Sequence, residues 1–263
     1  MAKNPRLDQA MLDRNLCETR SRAKAMIMAG DVYVNGQKET RAGHPIAPTD
    51  EITLKAKPRF VSRGGEKMDG ALNAFDIRVT GMVGADFGAS TGGFTDCLLQ
   101  RGASKVYAID VGYGILDERI RTDERVVVME RTNARYVDEL PEPIDIVVID
   151  VSFISLNLIL PAVKAVLRPG RICVPLIKPQ FEAGPEHIGK RGVVRDPAVH
   201  EMVLRNVLTF AQEQGFAVVN LIASSLRGPN GNVEFLGHLV YGEVTGIPTT
   251  DELVARAMAT IPE

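Results

Sequence analysis

Asp86-Phe-Gly-Ala-Ser-Thr-Gly-Gly93 follows an apolar run, Gly84 to Phe87, and leads into Phe94 to Arg101, which reads as a helix. A strand that turns through glycines into a helix marks the place where a doubly wound sheet binds nucleotide ligands, at the carboxyl ends of its strands. Outward from this turn the pattern repeats. Apolar runs at Val106 to Asp110, Val126 to Met129, Asp145 to Asp150 and Ile172 to Ile177 read as strands, with helices near Leu156 to Leu167 and Pro197 to Gln214. Two further strands, Ala217 to Ala223 and Glu234 to Val240, are joined by Leu226-Arg-Gly-Pro-Asn-Gly-Asn232 as an antiparallel closing hairpin, and a last helix spans Thr250 to Thr260. Such alternation predicts an α/β fold, a Rossmann-like, mostly parallel seven-stranded sheet with helices on both faces.

The turn itself narrows the ligand. Asp110 ends the second strand, where a carboxylate accepts hydrogen bonds from the ribose hydroxyls of an adenosine. A dinucleotide site shares that feature, but the glycines fall at 88, 92 and 93, so G-x-G-x-x-G is absent. Asp86 within the loop would repel a pyrophosphate and suits the cationic amino group of S-adenosylmethionine. The candidate cofactor residues are Asp86, Gly88, Ser90, Thr91, Gly92, Gly93 and Asp110, with Asp150 at the end of the fourth strand. Asn133, after the third strand, could meet an adenine edge, although an asparagine there is as often a turn residue.

Upstream lies a different composition. Residues 1–60 hold eleven Lys and Arg against seven Asp and Glu, whereas the whole chain carries a net charge of -2. A small basic module therefore precedes a larger acidic one. In it Leu7, Met11, Leu12 and Leu16 recur at helical spacing, and a second helix, Ser21 to Ala29, has Ser21 as a candidate cap and Gly30 at its end. Val32-Tyr-Val-Asn-Gly-Gln37 signals a hairpin, and Glu51 to Leu54 a returning strand. Arg6, Arg14, Arg20, Arg22 and Lys24 lie on the helical side. The joining segment, Lys55-Ala-Lys-Pro-Arg-Phe60, is short and predicts close tethering.

The three cysteines, Cys17, Cys97 and Cys173, are odd in number and far apart, which points to reduced thiols in a cytoplasm and to no metal site. The opening decapeptide, MAKNPRLDQA, lacks an apolar core, and the most apolar stretch, Ile144 to Leu167, is broken by Asp145, Asp150, Pro161 and Lys164. Neither a signal peptide nor a membrane span is expected.

Methyl transfer to a ribose 2'-hydroxyl, a very weak acid, needs a base or a charge-stabilising group in line with the methyl. A lysine desolvated or placed beside a cation can serve, with acids to orient it. Asp150 ends the fourth strand and Lys178 the fifth, so adjacent parallel strands bring both to one rim. Glu234 begins the last strand, and Lys67 precedes the core in Ser62-Arg-Gly-Gly-Glu-Lys67.

Two resemblances gather these residues. The run Arg6 to Leu54 resembles the alpha-L RNA-binding domain of a small-subunit ribosomal protein and of pseudouridine synthases, which implies contact with structured RNA. Val61-Ser-Arg-Gly-Gly-Glu-Lys67, Gly88-Ala-Ser-Thr-Gly-Gly-Phe-Thr95, Ile149-Asp-Val-Ser-Phe-Ile-Ser155, Leu176-Ile-Lys-Pro-Gln-Phe-Glu182 and Gly228-Pro-Asn-Gly-Asn-Val-Glu-Phe235 resemble the TlyA family over nearly the full chain. That resemblance implies a ribosomal-RNA 2'-O-ribose methyltransferase acting on cytidine, built from an alpha-L domain and an FtsJ/RrmJ-like class I methyltransferase domain. Its domains fall at 1–58 and 63–263, with a linker at 59–62. Its tetrad falls on Lys67, Asp150, Lys178 and Glu234. The resemblance implies that Lys178 activates the 2'-hydroxyl, that Asp150 and Glu234 orient it, and that Lys67 assists with substrate or charge. It also implies ribosomal RNA or ribosomal subunits as partner. Two departures stand out: the linker reads Arg59-Phe-Val61 without the tryptophan of some members, and Arg191 occupies a position where glycine is expected.

Three rivals remain. A base- or amine-directed methyltransferase would carry an Asp/Asn-Pro-Pro-Tyr/Phe run, where this chain has Asp150-Val-Ser-Phe153. A hemolysin, a label the family also carries, would want a spanning or strongly amphipathic basic segment. An inactive RNA-binding, ribosome-associated protein has no need of the tetrad.

Overall fold

The computed structural model describes residues 4–55 and 58–261. Met1 to Lys3 of the opening decapeptide, and Ala56 and Lys57 of the joining segment, lie outside the described residues. The chain divides into two units, Met1–Pro58 and Arg59–Glu263.

In the first unit α1 (Leu7–Asp13) and α2 (Arg20–Ala29) precede β1 (Val32–Val34), β2 (Gln37–Lys38) and β3 (Ile52–Leu54). The strands order as β2-β1-β3, both pairings antiparallel. The core is small: Leu7, Met11, Ala23, Ile27, Val32 and Ile46 are buried around it. Two expected boundaries shift. Helix α1 stops at Asp13, because Asn15 takes a left-handed φ of 56°, and Leu16 packs on the core from beyond the helix end. Helix α2 starts one residue early: Thr19, not Ser21, is its cap, its hydroxyl accepting from Arg22 N at 3.2 Å. Gly30 closes it at φ 75° as expected.

The second unit runs α3 (Arg63–Ala74), β4 (Val83–Phe87), α4 (Gly93–Gln100), β5 (Lys105–Ile109), α5 (Glu118–Arg121), β6 (Val126–Met129), β7 (Ile144–Ile149), α6 (Leu160–Val166), β8 (Leu167–Ile177), α7 (Pro179–Glu182), α8 (Pro197–Glu213), β9 (Phe216–Ala223), β10 (Phe235–Tyr241) and α9 (Thr250–Ala259). Its seven strands order as β6-β5-β4-β7-β8-β10-β9. The first five pair in parallel, and β10 lies antiparallel between β8 and β9. Central strand β7 is apolar on both faces, with Ile146 to Ile149 fully buried, as a strand covered by helices on each side must be. One cluster packs α6, α8 and α9 on one face, and another packs α3 and α4 on the other.

Helix α6 is shorter than its apolar run. Ser155 caps a 3-10 turn, Leu156–Leu158, and the α-helix begins at Leu160 with Pro161 in its first turn, then passes straight into β8 at Leu167. Residues 59–62 are folded onto the second unit. Phe60 is buried in its core, Arg59 pairs with Asp69 at 2.7 Å, and Val61 N donates to Asp96 Oδ2 at 2.8 Å.

Strand order reverses between β4 and β7: the chain leaves β4 toward β5 and β6, then returns on the other side. At such a switch point the two following loops diverge and leave a crevice at the carboxyl ends. The residues after β4, β5, β7 and β8 all face that crevice.

Candidate active site

The turn after β4 is held by backbone. Gly88 N and Ala89 N both donate to Ile109 O, at 2.8 and 3.0 Å. Gly88 has φ 91°, and a Cβ there would meet Asp150 O at 2.7 Å, so the loops after β4 and β7 approach closely at this glycine. Gly92 takes φ 93° to start α4, and a Cβ on Gly93 would strike Ser62 Oγ and Gly65 N of α3.

Asp86 is completely buried. Its Oδ2 accepts from Thr95 N at 2.9 Å and Thr95 Oγ1 at 2.7 Å, while Oδ1 has no hydrogen-bond partner among the described residues. Burial, with the charges of Asp150 and Asp110, pushes its carboxyl up to about 7 against the lowering effect of the Thr95 bonds. A buried acceptor with a free oxygen calls for a donor, best a cationic one. Thr95 is the residue that sequence reasoning left without a role. It sat inside a quoted motif, but nothing in its spacing told that it would anchor Asp86.

Asp110, one residue beyond β5, accepts from Ser90 N at 2.8 Å through Oδ2 and from Gly112 N at 2.7 Å through Oδ1. One bond per oxygen leaves each a lone pair for a further donor. Asn133 is a turn residue in its own right, since its Oδ1 accepts from Arg135 N at 3.1 Å. It nonetheless lines the same cavity as Asp110, with its amide nitrogen left for a ligand.

That cavity has a volume of about 400 Å³ and is bounded by Gly88, Ser90, Asp110, Asn133, Asp150 and Phe153 among others. A second, of about 100 Å³, is lined by Lys67, Asp86, Ser90, Thr91 and Gly93, and shares Gly88, Ser90 and Asp150 with the first. A third, of about 330 Å³, is lined by Lys178, Gln180, Phe181 and Glu234, and shares Ser152 and Phe153 with the first. Three spaces thus meet around the loop 150–153. The first fits an adenosine, with an acid for ribose hydroxyls; the second fits an amino-acid tail, with an orphaned buried carboxylate oxygen for its ammonium. S-adenosylmethionine has both parts, and the residues present fit it.

The four charged residues at the rim form two ion pairs. Lys178, 8% exposed, follows β8 directly; its Nζ lies 2.6 Å from Asp150 Oδ1 and donates to Val151 O and Ser152 Oγ, both at 2.9 Å. The Lys67 ammonium, on the second turn of α3, meets Glu234 Oε2, and Gln180 Nε2 donates to Glu234 Oε1 at 3.3 Å. Glu234 therefore pairs with Lys67 and Gln180, and the carboxylate beside Lys178 is Asp150. Glu234 also lies one residue before β10 rather than within it.

Aromatic groups border the third cavity. Phe153 takes φ 62° and is 90% exposed, its ring 4.9 Å from that of Phe181, which in turn lies 5.6 Å from Lys178 Nζ. Arg191 adopts φ 63°, a conformation that glycine takes freely, so the arginine stands in a glycine-type turn at the same border.

In the first unit the five basic residues divide. Arg6 and Arg20 both bind the fully buried carboxylate of Asp8, at 3.1 and 3.0 Å. Burial alone would raise the Asp8 carboxyl; the hydrogen bonds and charges of the two guanidiniums outweigh it and hold it below the ordinary value. Arg14 donates to Asp50 O at 2.6 Å and Ala47 O at 3.2 Å. Arg22 and Lys24 are exposed on α2.

Residues 60–241 match the FtsJ-like methyltransferase family and residues 5–52 the S4 domain. The chain is 49% identical to YqxC of Bacillus subtilis, labelled an rRNA methyltransferase, over 90% of this chain and 86% of that one. It is 44% identical to the 16S/23S rRNA (cytidine-2'-O)-methyltransferase TlyA of Mycobacterium tuberculosis over 89% of each. A solved structure from Streptococcus thermophilus that carries a hemolysin label superposes with a TM-score of 0.73 at 45% identity, covering 98% of this chain and 97% of that one. With a Rossmann-like sheet, a site that fits S-adenosylmethionine and these matches across almost its whole length, the chain belongs to the FtsJ-like methyltransferases of the TlyA family, with an S4 domain at its N-terminal end.

Proposed function

We propose that the chain transfers the methyl group of S-adenosylmethionine to the 2'-hydroxyl of a cytidine in ribosomal RNA. The observation that carries this reading is the Lys178–Asp150 pair, 2.6 Å apart, in the wall between the adenosine-sized cavity and the third cavity. A base- or amine-directed enzyme has no use for a buried lysine there. The substrate class rests on the basic S4 unit and on the activity named for the Mycobacterium tuberculosis relative.

The bound cofactor supplies an electrophilic methyl on a sulfonium. Asp86 Oδ1 receives its ammonium, Asp110 its ribose hydroxyls and Asn133 its adenine edge, while Gly88, Ser90, Thr91, Gly92 and Gly93 shape the loop. Asp150 borders both the cofactor spaces and Lys178. Lys178, held as an ammonium beside Asp150, stabilises the negative charge that builds on the attacking 2'-oxygen, and the hydroxyl proton leaves to solvent water. Asp150 keeps the ammonium in place. Glu234, bonded by Gln180, lines the third cavity, and its partner Lys67 lines the second, so this pair sits between the cofactor tail and the substrate space. Arg22 and Lys24 meet RNA phosphates, whereas Arg6, Arg14 and Arg20 shape the unit that presents them.

In this reading residues 1–58 bind RNA, 59–62 link the domains and 63–263 carry methyl transfer. A ribosomal substrate implies work in the cytoplasm. No helix among the described residues is long and apolar enough to cross a membrane. The deciding experiment is mass mapping of ribose methylation in rRNA from cells with and without this protein. Loss of a methylated cytidine in its absence is expected; an unchanged map overturns the reading.

A further inference from the structure

Beside the third cavity lies a fourth, of about 450 Å³, whose wall includes Arg195, Arg227, His200 and Asn230. Asn230 lines the third cavity as well, so this space adjoins that of Lys178 and Glu234. Two loops make it, one after α7 carrying Arg191 to Arg195, the other between β9 and β10 carrying Arg227 to Asn232. Side chains staple them together. Asn230 Nδ2 donates to Arg191 O at 3.0 Å, Asn232 Nδ2 donates to Gly192 O at 2.9 Å, and Asn232 Oδ1 accepts from Val194 N at 3.1 Å. The arginines therefore sit on a braced double loop rather than on free arms.

The lining carries two guanidiniums and no acidic side chain. The nearby Asp196 is engaged as the cap of α8, accepting from Ala198 N at 2.9 Å. His200 is 3% exposed, and its Nε2 lies 3.1 Å from Val194 O, which assigns the ring proton to Nε2. Burial, helped by the charge of Arg227, lowers the pKa of His200 against the raising effects of Val194 O and Asp196. Its Nδ1 has no hydrogen-bond partner among the described residues.

We propose that this cavity is a cradle for the RNA backbone, binding the phosphate and ribose of a nucleotide that flanks the one methylated. The inference rests on the RNA reading of the third cavity. Guanidinium forks match phosphate oxygens two at a time, and a phosphate fixed here sets the register in which the neighbouring ribose enters beside Lys178.

The test uses the full chain and a fluorescent rRNA hairpin carrying the target cytidine, with affinity followed against salt. In Arg195→Gln/Arg227→Gln, binding is expected to weaken roughly ten-fold. The slope of log affinity against log salt should become shallower by about 0.7–0.9, the share of one phosphate. Arg195→Lys/Arg227→Lys keeps the charge and should keep the wild-type slope. Unchanged affinity and slope in the Gln pair, or an equal fall of slope in both pairs, overturns the cradle. Ribose methylation is scored in parallel. A wild type that methylates while the Gln pair binds normally removes the cradle and leaves the activity. A wild type that methylates nothing, with the slope still lost in the Gln pair, removes the activity and leaves the cradle.

Discussion

Lys178 Nζ lies 2.6 Å from Asp150 Oδ1, and each residue stands one position beyond the end of its strand on two adjacent parallel strands, β7 and β8. The parallel register sets both Cα positions, and the three contacts of the ammonium, to Asp150, Val151 O and Ser152 Oγ, set its direction. A lysine so fixed costs nothing further to orient at the moment of reaction.

Lys178→Ala is therefore expected to lower methyl transfer by on the order of 10²- to 10⁴-fold, the range for loss of a positioned acid–base group. S-adenosylmethionine binding, measured by calorimetry, should stay near the wild-type value. Full transfer activity in this variant would rule out the role. Glu234→Ala behaves differently, since it strands the buried Lys67 and should cost roughly 3–5 kcal/mol of stability by urea unfolding.

Asp86 governs the pH dependence. With its carboxyl pushed up to about 7 from an unfolded value of 3.8, the native state binds more protons than the unfolded one between those limits. Stability of the cofactor-free protein should thus fall as pH rises from about 4 to 7 and then level off. Cofactor affinity has the opposite sign, because the ammonium needs the ionised carboxylate. It should climb as pH rises toward 7, by up to about ten-fold per unit, and plateau above. Asp86→Asn should bind weakly with a flat profile; an unaltered calorimetric profile in that variant would exclude the contact.

At Gly88 the obstacle is backbone. Since φ is 91° and an added Cβ would lie 2.7 Å from Asp150 O, Gly88→Ala forces the loops after β4 and β7 apart. A loss of about 1–3 kcal/mol in unfolding free energy is expected, together with weaker cofactor binding. A variant as stable and as tight-binding as the wild type would show that the loops separate freely.

The basic residues of the first unit should separate into two groups under mutation. Arg22→Ala and Lys24→Ala are expected to leave the melting temperature within about 1 °C while weakening RNA binding and flattening its salt slope by about 0.7–0.9 each. Asp8→Ala should act through the fold, removing roughly 1–3 kcal/mol because it strips the shared partner from Arg6 and Arg20. Circular-dichroism melts beside anisotropy titrations distinguish the groups. Equal thermal losses in both would refute the division.

Much of this was legible in the chain. Apolar runs of four to six residues between helical periods mark buried parallel strands, since only a strand covered on both faces is apolar throughout. The acids and lysines that end those runs read as rim residues for the same reason. Boundaries were less legible. Thr19 and Ser21 are equally good caps by composition, and the choice between them turned on which backbone position left the helix. Helix α6 gave up its first turn to the Ser155 cap and to Pro161, a local competition that periodicity does not register.

By itself the sequence determined the order of elements and the loops that carry chemistry, because hydrophobic period and glycine placement are local properties of the chain. Partner choice was decided only by the tertiary structure. Asp150 takes Lys178 while Glu234 takes Lys67, and Asp86 keeps one oxygen free while Thr95 takes the other. Arg6 and Arg20 close on Asp8 while Arg22 stays exposed. The Lys67–Glu234 pair is separated by 167 residues in the chain, and whether such groups meet depends on strand register and helix packing rather than on any spacing along it.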